Sequence, residues 1–276
     1  MFFTSDTTIF NHMTLKSFFI SLLFISSFAL SGQRIITPKL IEVDWKGIIY
    51  KKEWALDLRL HENGAAIAYN TGKIKSYNRT NYYQIELGYT NDPRERNQSK
   101  ISSRGRSGSF SYGKVNNLIN LRIGAGVKKY LSEKEKRKGL AVGYTYEIGP
   151  SIALLKPYHL NLIYTTEEGG QLTAFTVSEK FTEENAERFL NVNAVDDKSS
   201  FFKGFDDLSI RAGLQGKIGA HLAWGAFDKN VKALETGIMF DIFPSKIPIL
   251  IETEVISNNR YFLRLYLNIH LGTRRN

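Results

Sequence analysis

The feature that most constrains this fold is a strict two-residue alternation of apolar and polar side chains, clearest in FLRLYLNIHLGTRR, residues 262–275. Here Leu263 and Leu265 alternate with Arg264 and Tyr266, and the pattern continues to the end of the segment. Successive side chains of a strand point to opposite faces, so the pattern predicts one apolar and one polar face. A soluble sandwich turns its apolar face inward, whereas a membrane barrel turns it outward to lipid.

The N-terminal segment has the pattern of a secretory signal peptide. Lys16 precedes an apolar run over residues 18–30, which is too short for a membrane helix and is followed by small residues suited to cleavage near Gly32. Residues 1–12 contain no Lys or Arg, so we place the start of the signal at Met13. The alternative, a buried amphipathic helix, fits less well because the run is apolar on all sides.

The amino-acid composition excludes several classes of protein and site. The chain has no cysteine, which excludes a lipoprotein anchor, a disulfide framework and thiolate chemistry. Its formal net charge of +10 favours anionic neighbours such as phosphorylated lipid, although a basic surface also serves solubility alone. After the signal, no apolar stretch is long enough for a membrane-spanning helix.

Alternating segments recur along the whole chain. We predict about ten strands, at residues 54–60, 65–76, 83–90, 119–128, 140–148, 158–165, 208–227, 234–243, 247–255 and 262–275. Most approach the roughly 9–11 residues that a tilted strand needs to cross a bilayer, and exceed the 5–6 common in soluble sheets.

The polar faces of these strands carry charges at mid-strand. Aromatic residues lie near the strand ends, where membrane proteins place an interfacial girdle, namely Tyr82, Tyr83, Tyr89, Tyr130, Tyr158, Tyr164, Tyr261 and Phe262. We therefore predict apolar faces toward lipid and a lumen closed by ion pairs. The predicted network comprises Asp57, Arg59, Glu86, Arg122, Glu147, Arg211, Lys217, Glu235 and Arg264.

Glycines on the polar phase predict a narrow barrel, because small inward residues relieve crowding in a tightly curved wall. They are Gly88, Gly124, Gly126, Gly143, Gly149, Gly213, Gly219, Gly225 and Gly237. The alternative is that they mark bulges.

Residues 91–114 interrupt the pattern with a basic stretch rich in Gly and Ser, for which we predict a long, mobile loop. Its cations include Arg94, Arg96, Lys100, Arg104 and Arg106. They are suited to binding lipopolysaccharide phosphates or an acidic partner. The alternative is a solvated loop without a ligand.

Residues 167–207 form the second interruption. Thr182 is suited to cap a short helix that buries Phe181, Phe189 and Leu190. The following Phe201, Phe202 and Phe205 are expected to be packed. Counting strands from a periplasmic N-terminus places the basic loop outside the cell and this helical loop in the periplasm.

Signals for catalysis are weak. The histidines His61, His159, His221 and His270 share the inward phase, which permits a metal cluster, but they come from different strands without short ligand spacing. No serine stands beside a His and an acid on one strand end. We therefore expect no catalytic residues, no metal, no cofactor and no nucleic-acid partner.

The phrases SFSYGKVNN, YEIGPSIALLKPYHL, ALETGIMFDIFPSKIPI and LRLYLNIHLGTRR resemble a poorly characterised family of Bacteroidota outer-membrane β-barrel proteins. The resemblance spans Trp54 to Arg274 and implies a structural or accessory subunit of an outer-membrane assembly or transport complex. It supplies no catalytic residues. The terminal TRRN departs from the aromatic residue that ends many outer-membrane strands.

These observations predict an all-β protein, a transmembrane antiparallel up-and-down barrel of about ten strands (roughly 8–12). Residues 1–32 are assigned to an N-terminal extension and signal peptide, 33–51 to a periplasmic lead-in and 52–274 to the outer-membrane barrel. We expect a non-enzymatic protein whose partners are outer-membrane lipids, including lipopolysaccharide, and subunits of a complex. The alternatives are a small-solute channel and a lipid-modifying enzyme.

Overall fold

Eight antiparallel strands close into a barrel in the computed structural model. The structure describes residues 50–101, 107–131, 140–168, 170–224, 229–254 and 256–276. The predicted signal peptide lies outside the described residues, as do Arg104 and Arg106 of the basic segment. The barrel strands are β1 Lys52–His61, β2 Gly64–Ser76, β3 Arg79–Thr90, β6 Asn116–Tyr130, β7 Ala141–Pro157, β11 Ser209–Ala223, β12 Asn230–Ile242 and β13 Tyr261–Arg275.

The barrel closes through the pairing of its first and last strands. Their register runs from Lys52 opposite Arg275 to His61 opposite Tyr266. Around the wall the strand order is β1, β13, β12, β11, β7, β6, β3, β2. Closure pairs the backbone groups that an open sheet would leave at its edges.

The apolar face of the wall points outward and the polar face inward. On β13, Leu263 is 73% exposed and Leu265 is 58% exposed, whereas Arg264 and Tyr266 between them are each 3% exposed. The same alternation holds on β1, where Leu56 and Leu58 are exposed. The arrangement is therefore that of a barrel with an apolar outer wall and a polar interior.

The central strand count of ten predicted from the sequence is too high by two, and the observed eight strands lie at the lower end of the predicted range of 8–12. Residues 158–165 form β8 in a separate three-stranded sheet rather than in the barrel wall. Residues 247–255 are not a strand, since their described pairing is a single bridge between Leu250 and Lys114. In both segments the alternating apolar side chains pack inside a folded region rather than along the outer wall.

The remaining elements form a cap over one end of the barrel. It contains segment 243–260 and the elements β4 Arg96–Ile101, β5 Ser107–Tyr112, β8 His159–Glu168, β9 Gln171–Lys180, α1 Ala186–Leu190 and β10 Val195–Lys198. β4 pairs with β5, and β8 lies between β9 and β10. The core of the cap is Phe110, Leu160, Leu162, Phe189 and Val195.

Both interrupting segments lie at the same end of the barrel, which corrects the prediction that they lie on opposite sides. β3 and β7 run in the same direction, and the segments that follow them, 91–115 and 158–208, therefore emerge together. The opposite end carries the turn between β2 and β3 and the end of β13. The second segment was predicted on the wrong side because the prediction included β8 among the wall strands.

A sealed charged lumen and a folded cap

Arg122 organises the part of the lumen nearest the cap. Its Nε and Nη2 donate to the two carboxylate oxygens of Asp241 at 2.8 and 2.7 Å, and its Nη1 donates to Glu86 at 2.6 Å. Arg264 also donates to Asp241 at 2.7 Å, and the Ser151 hydroxyl donates to it at 3.1 Å. Five strands are thereby joined across the lumen by charge-assisted bonds.

Glu86 links this group to the middle of the lumen. It forms ion pairs with Arg59 and with Lys217, the latter at 3.0 Å. Lys217 reaches Glu147 at 2.9 Å, and the amide of Gln215 donates to the same carboxylate at 2.9 Å. These charged side chains are buried, so each has its charge balanced inside the wall rather than by solvent.

The third group lies toward the end opposite the cap. Glu53 accepts bonds from Lys128 and Arg274, both at 2.8 Å. Asp57 lies 2.6 Å from the Nδ1 atom of His270. The Glu235 carboxylate, which lies 3.2 Å from His221, accepts the Tyr266 hydroxyl at 2.7 Å.

Two inward glycines show how tightly the lumen is filled. A Cβ atom at Gly124 would lie 2.0 Å from a carboxylate oxygen of Glu147. At Gly126 it would lie 2.5 Å from the ring of Tyr82. The glycine positions therefore make room for the network, as the predicted narrow barrel requires.

Apolar layers lie at both ends of the charged region. Toward the cap, Leu118 and Leu155 of the wall pack with Phe243, Ile247 and Ile249 of segment 243–260. Toward the opposite end, Tyr130, Ala141, Ala223 and Ala233 form a smaller buried cluster.

Between these layers, a cavity of about 20 Å³ lies among Glu53, Asp57 and Tyr82. It has room for one water molecule and not for a solute. At this cavity the described lumen therefore leaves no room for a solute.

The structure places eight of the nine predicted network residues inside the lumen, namely Asp57, Arg59, Glu86, Arg122, Glu147, Lys217, Glu235 and Arg264. Arg211 is the exception, because it is exposed. It keeps the inward phase of β11, but the pairing of β11 with β12 begins only at Leu214. Arg211 thus lies beyond the closed wall.

The network also contains residues that the sequence analysis left out of the predicted set. Glu53, Lys128, Asp241, His270 and Arg274 all share the inward phase and are buried. Their inward phase in the strand alternation would have been enough to include them in the predicted network. Of the four histidines, His159 is the one outside the lumen, since it opens β8 in the cap.

The basic segment is a folded hairpin rather than a long irregular loop, because β4 and β5 pair from Arg96 opposite Tyr112 to Ile101 opposite Ser107. Arg94 is not available as a free anion ligand. Its Nε and Nη2 both donate to Asp92 at 2.8 Å, and its Nη1 donates to the Ser257 carbonyl. Lys100 lies in β4, and Arg96 begins that strand.

The helical segment is partly as predicted. α1 begins after Asn185 rather than Thr182, although the two residues exchange hydrogen bonds of 2.9 and 3.3 Å. Phe189 is buried and contacts the ring of Phe181. The prediction that Phe201, Phe202 and Phe205 are packed is wrong for Phe202, which is 81% exposed. Phe201 and Phe205 are also exposed, but their rings contact each other and Lys156.

The predicted aromatic girdle needs a correction. Tyr130 is buried on the inner face, and Tyr82 lines the small lumen cavity. Tyr158 and Tyr164 lie in the cap, where they pack beside its core. The exposed outward rings on the wall include Tyr69, Tyr83, Tyr146, Phe240 and Tyr261.

The burial of two cations at the cap end was not predicted from the sequence. Lys114 is 2% exposed and donates to Glu95 at 2.7 Å. Burial lowers the pKa of Lys114, while the Glu95 bond and charge oppose that shift. Lys156, near the end of β7, is also 2% exposed. Lys114 belongs to the basic segment, but nothing in the sequence predicted that it or Lys156 is buried, since a lysine beside a strand end is ordinarily solvated.

Comparison with known proteins identifies no family. No family model matches the chain, and no curated protein matches it. The chain is similar to a crystal structure of the N-terminal β-barrel domain of OprF from Pseudomonas aeruginosa, at 8% identity and a TM-score of 0.33. The match covers 81% of this chain and 96% of that one.

Among the described residues, no helix is both long and apolar enough to cross a membrane. Within the same residues, no group of three or more His, Asp or Glu side chains is arranged to hold a metal ion.

Proposed function

We propose that this protein is an integral outer-membrane barrel that conducts no solute and serves as a scaffold or accessory subunit through its cap. The observation that carries the proposal is the reversal of faces, with leucines outside and charges inside. Leu267 on the outer wall is 43% exposed, while its neighbour Asn268 is 1% exposed. Such a wall is favourable against hydrocarbon and unfavourable against water.

A matched pair of charge insertions tests membrane insertion directly. Leu267→Arg places a guanidinium on the outer wall near the middle of β13. In a bilayer this substitution destabilises a barrel by about 2–4 kcal/mol. Leu172→Arg is the control, because Leu172 is 78% exposed on β9 of the cap, away from the wall.

The measurement is equilibrium unfolding from lipid vesicles, together with the shift between unboiled and boiled protein on a denaturing gel. We expect a loss of stability for Leu267→Arg alone. Equal stability of the two variants, or release of the wild-type protein from membranes by alkaline carbonate, would contradict insertion.

The filled lumen supports the non-conducting role over the alternative of a small-solute channel. A channel needs a continuous aqueous path, and here ion pairs such as that between Arg122 and Asp241 cross the lumen between apolar layers. Planar-bilayer recordings of the purified protein are expected to show no steady conductance steps. Stable steps would favour the channel.

The cap supports the scaffold role, because it is a folded body with its own apolar core and is carried at one end of the barrel. A partner subunit that docks there should co-purify in mild detergent at a fixed ratio. Replacing the exposed Phe202 by Ser should reduce that ratio, and replacing the exposed Leu172 of the same cap by Ser is the matched control. An unchanged ratio in the Phe202 variant would remove that ring from the docking surface.

A further inference from the structure

Lys156 carries a charge that is buried without a carboxylate. Its side chain is 2% exposed, and its ammonium group donates to the backbone carbonyls of Phe201 and Lys203 at 2.7 and 3.2 Å. The rings of Phe201 and Phe205 lie 4.6 and 5.3 Å from the same nitrogen. Within the described chain, no carboxylate lies at ion-pair distance from it.

This arrangement is unusual because buried charges are ordinarily paired with an opposite charge. Carbonyl oxygens and ring faces attract an ammonium group but do not neutralise it. The two carbonyls use two of its three N–H donors, so one donor remains. Lys156 therefore has both the charge and the free donor to bind an anion.

A cavity of about 300 Å³ adjoins Lys156 between the hairpin β4–β5 and the start of β8. Its lining includes Lys114, Lys198 and His159, and the one carboxylate among the lining residues is Glu95. Glu95 is already paired with Lys114 at 2.7 Å. The cavity is thus lined by more cationic than anionic groups.

The surroundings of His159 show the same positive potential. Burial lowers its pKa, and the nearby charges of Lys203, Lys156 and Lys180 lower it further. A hydroxyl donor is also present, because Ser200 accepts the Phe202 N–H at 3.4 Å and keeps its own O–H to donate. Cations combined with hydroxyl donors suit a tetrahedral anion with several oxygen acceptors.

We propose that this cavity binds a phosphate group, with Lys156 as its principal ligand. Two sources share that chemistry: a free phosphate or small phosphate ester, and the phosphate headgroup of a lipid. The exposed Phe202, which follows the cavity-lining Phe201 in the chain, would meet the apolar part of a lipid. The site goes beyond the proposed scaffold role and does not depend on it, because phosphate can be tested on the protein in detergent.

The first arm of the experiment titrates the full-length wild-type protein in detergent with inorganic phosphate by calorimetry. We expect saturable binding, weakened about tenfold or more by Lys156→Met, since this variant loses a charge-assisted bond to the anion. Lys246→Met is the matched control, because Lys246 is an exposed lysine of segment 243–260 that pairs with Glu252 and does not line the cavity. Its affinity should equal that of the wild type.

Lys156→Arg keeps the charge and should retain binding, which separates the loss of an anion ligand from a disturbed loop. If Lys156→Met fails to fold, Lys198→Gln on the exposed rim of the cavity replaces it and should weaken binding by a smaller factor. Folding is monitored by the gel shift of the barrel, which does not report on phosphate.

The second arm counts bound lipids by native mass spectrometry after transfer into nanodiscs of phosphatidylcholine with or without phosphatidic acid. Retention of phosphatidic acid by the wild type, lost in Lys156→Met, assigns the site to a lipid headgroup. Phosphate binding without lipid retention assigns it to a free phosphate. If the wild type neither binds phosphate saturably nor retains phosphatidic acid, the proposed site is wrong, whatever the outcome of the insertion test.

Discussion

Arg122 and Asp241 join β6 to β12 across the lumen through two parallel hydrogen bonds of 2.8 and 2.7 Å. The two strands are separated in the wall by β7 and β11, so the pair ties opposite sides of the barrel. Both side chains are buried, at 1% and 0% exposed. A bidentate pair of this kind fixes geometry as well as charge.

Removing the arginine should therefore destabilise the barrel strongly. Arg122→Met leaves the carboxylates of Asp241 and Glu86 short of a partner, and breaking a buried pair in this way costs about 3–5 kcal/mol. Arg211→Met is the matched control, because Arg211 is exposed and should change stability by less than about 0.5 kcal/mol. Urea unfolding followed by tryptophan fluorescence measures both variants. A similar effect of the two substitutions would contradict the network.

The contrast between these arginines shows what the sequence could predict. Alternation correctly gave the inward phase of both, and it predicted the eight strands of the wall. It could not show that β12 begins to pair with β11 only at Leu214, leaving Arg211 outside. The end of a closed wall depends on the register of neighbouring strands, which no single strand encodes.

The prediction of two further wall strands, residues 158–165 and 247–255, was wrong for a related reason. Leu160 and Leu162 alternate with polar residues on β8 as wall residues do, yet both are 0% exposed in the core of the cap. A strand with one apolar face has the same period whether that face meets lipid or a protein core. The buried charge of Lys156, which has no carboxylate partner, could not be predicted either. Its ammonium group is covered by segment 201–203, which is distant in the sequence and folds over it.

Gly124 provides a test of lumen crowding. Gly124→Ala would place a Cβ atom 2.0 Å from Glu147, which is held at 2.9 Å by both Lys217 and Gln215. We expect a destabilisation of about 1–3 kcal/mol, as for other overpacked interiors. The neighbouring Ala125 points outward, so Ala125→Val should be nearly neutral in the same unfolding assay. If Gly124→Ala leaves the free energy of unfolding unchanged, the ion-pair network can rearrange around the added methyl group at little cost.

Acid should loosen the start of the basic segment before it affects the wall. Burial raises the pKa of Asp92, but the bonds and charge of Arg94 outweigh that effect and hold the pKa below its usual 3.8. A carboxylate with a depressed folded-state pKa stabilises the fold above its unfolded pKa. This contribution is therefore full above about pH 4 and is lost as pH falls through the lower, folded-state value.

Hydrogen exchange of the Arg94 amide measures this effect, because that N–H donates to Asp92 at 2.9 Å. After correction for the intrinsic exchange rate, its protection should fall with pH below 3.8 in the wild type. Asp92→Asn should remove the pH dependence. The same profile in both proteins would show that another group controls this segment.

The cap core can be tested separately from the barrel. Phe189 is 1% exposed and packs with Phe110 and Leu162, whereas Phe202 is 81% exposed. Truncating a buried phenylalanine to alanine costs about 3–5 kcal/mol, because it removes apolar contacts and leaves a cavity. Because Phe189 belongs to the core of the cap, Phe189→Ala should destabilise the cap and cause it to unfold locally. Phe202→Ala loses few packing contacts and is the matched control.

Limited proteolysis reads out that local unfolding, since cleavage within residues 158–208 depends on the open population of the cap. A loss of 3 kcal/mol corresponds to cleavage roughly 100-fold faster. We expect this for Phe189→Ala and an unchanged rate for Phe202→Ala, while the gel shift of the barrel is the same in both. Loss of the gel shift in Phe189→Ala would instead show that cap and wall unfold as one unit, because segment 243–260 packs against both through Ile251 and Ile249.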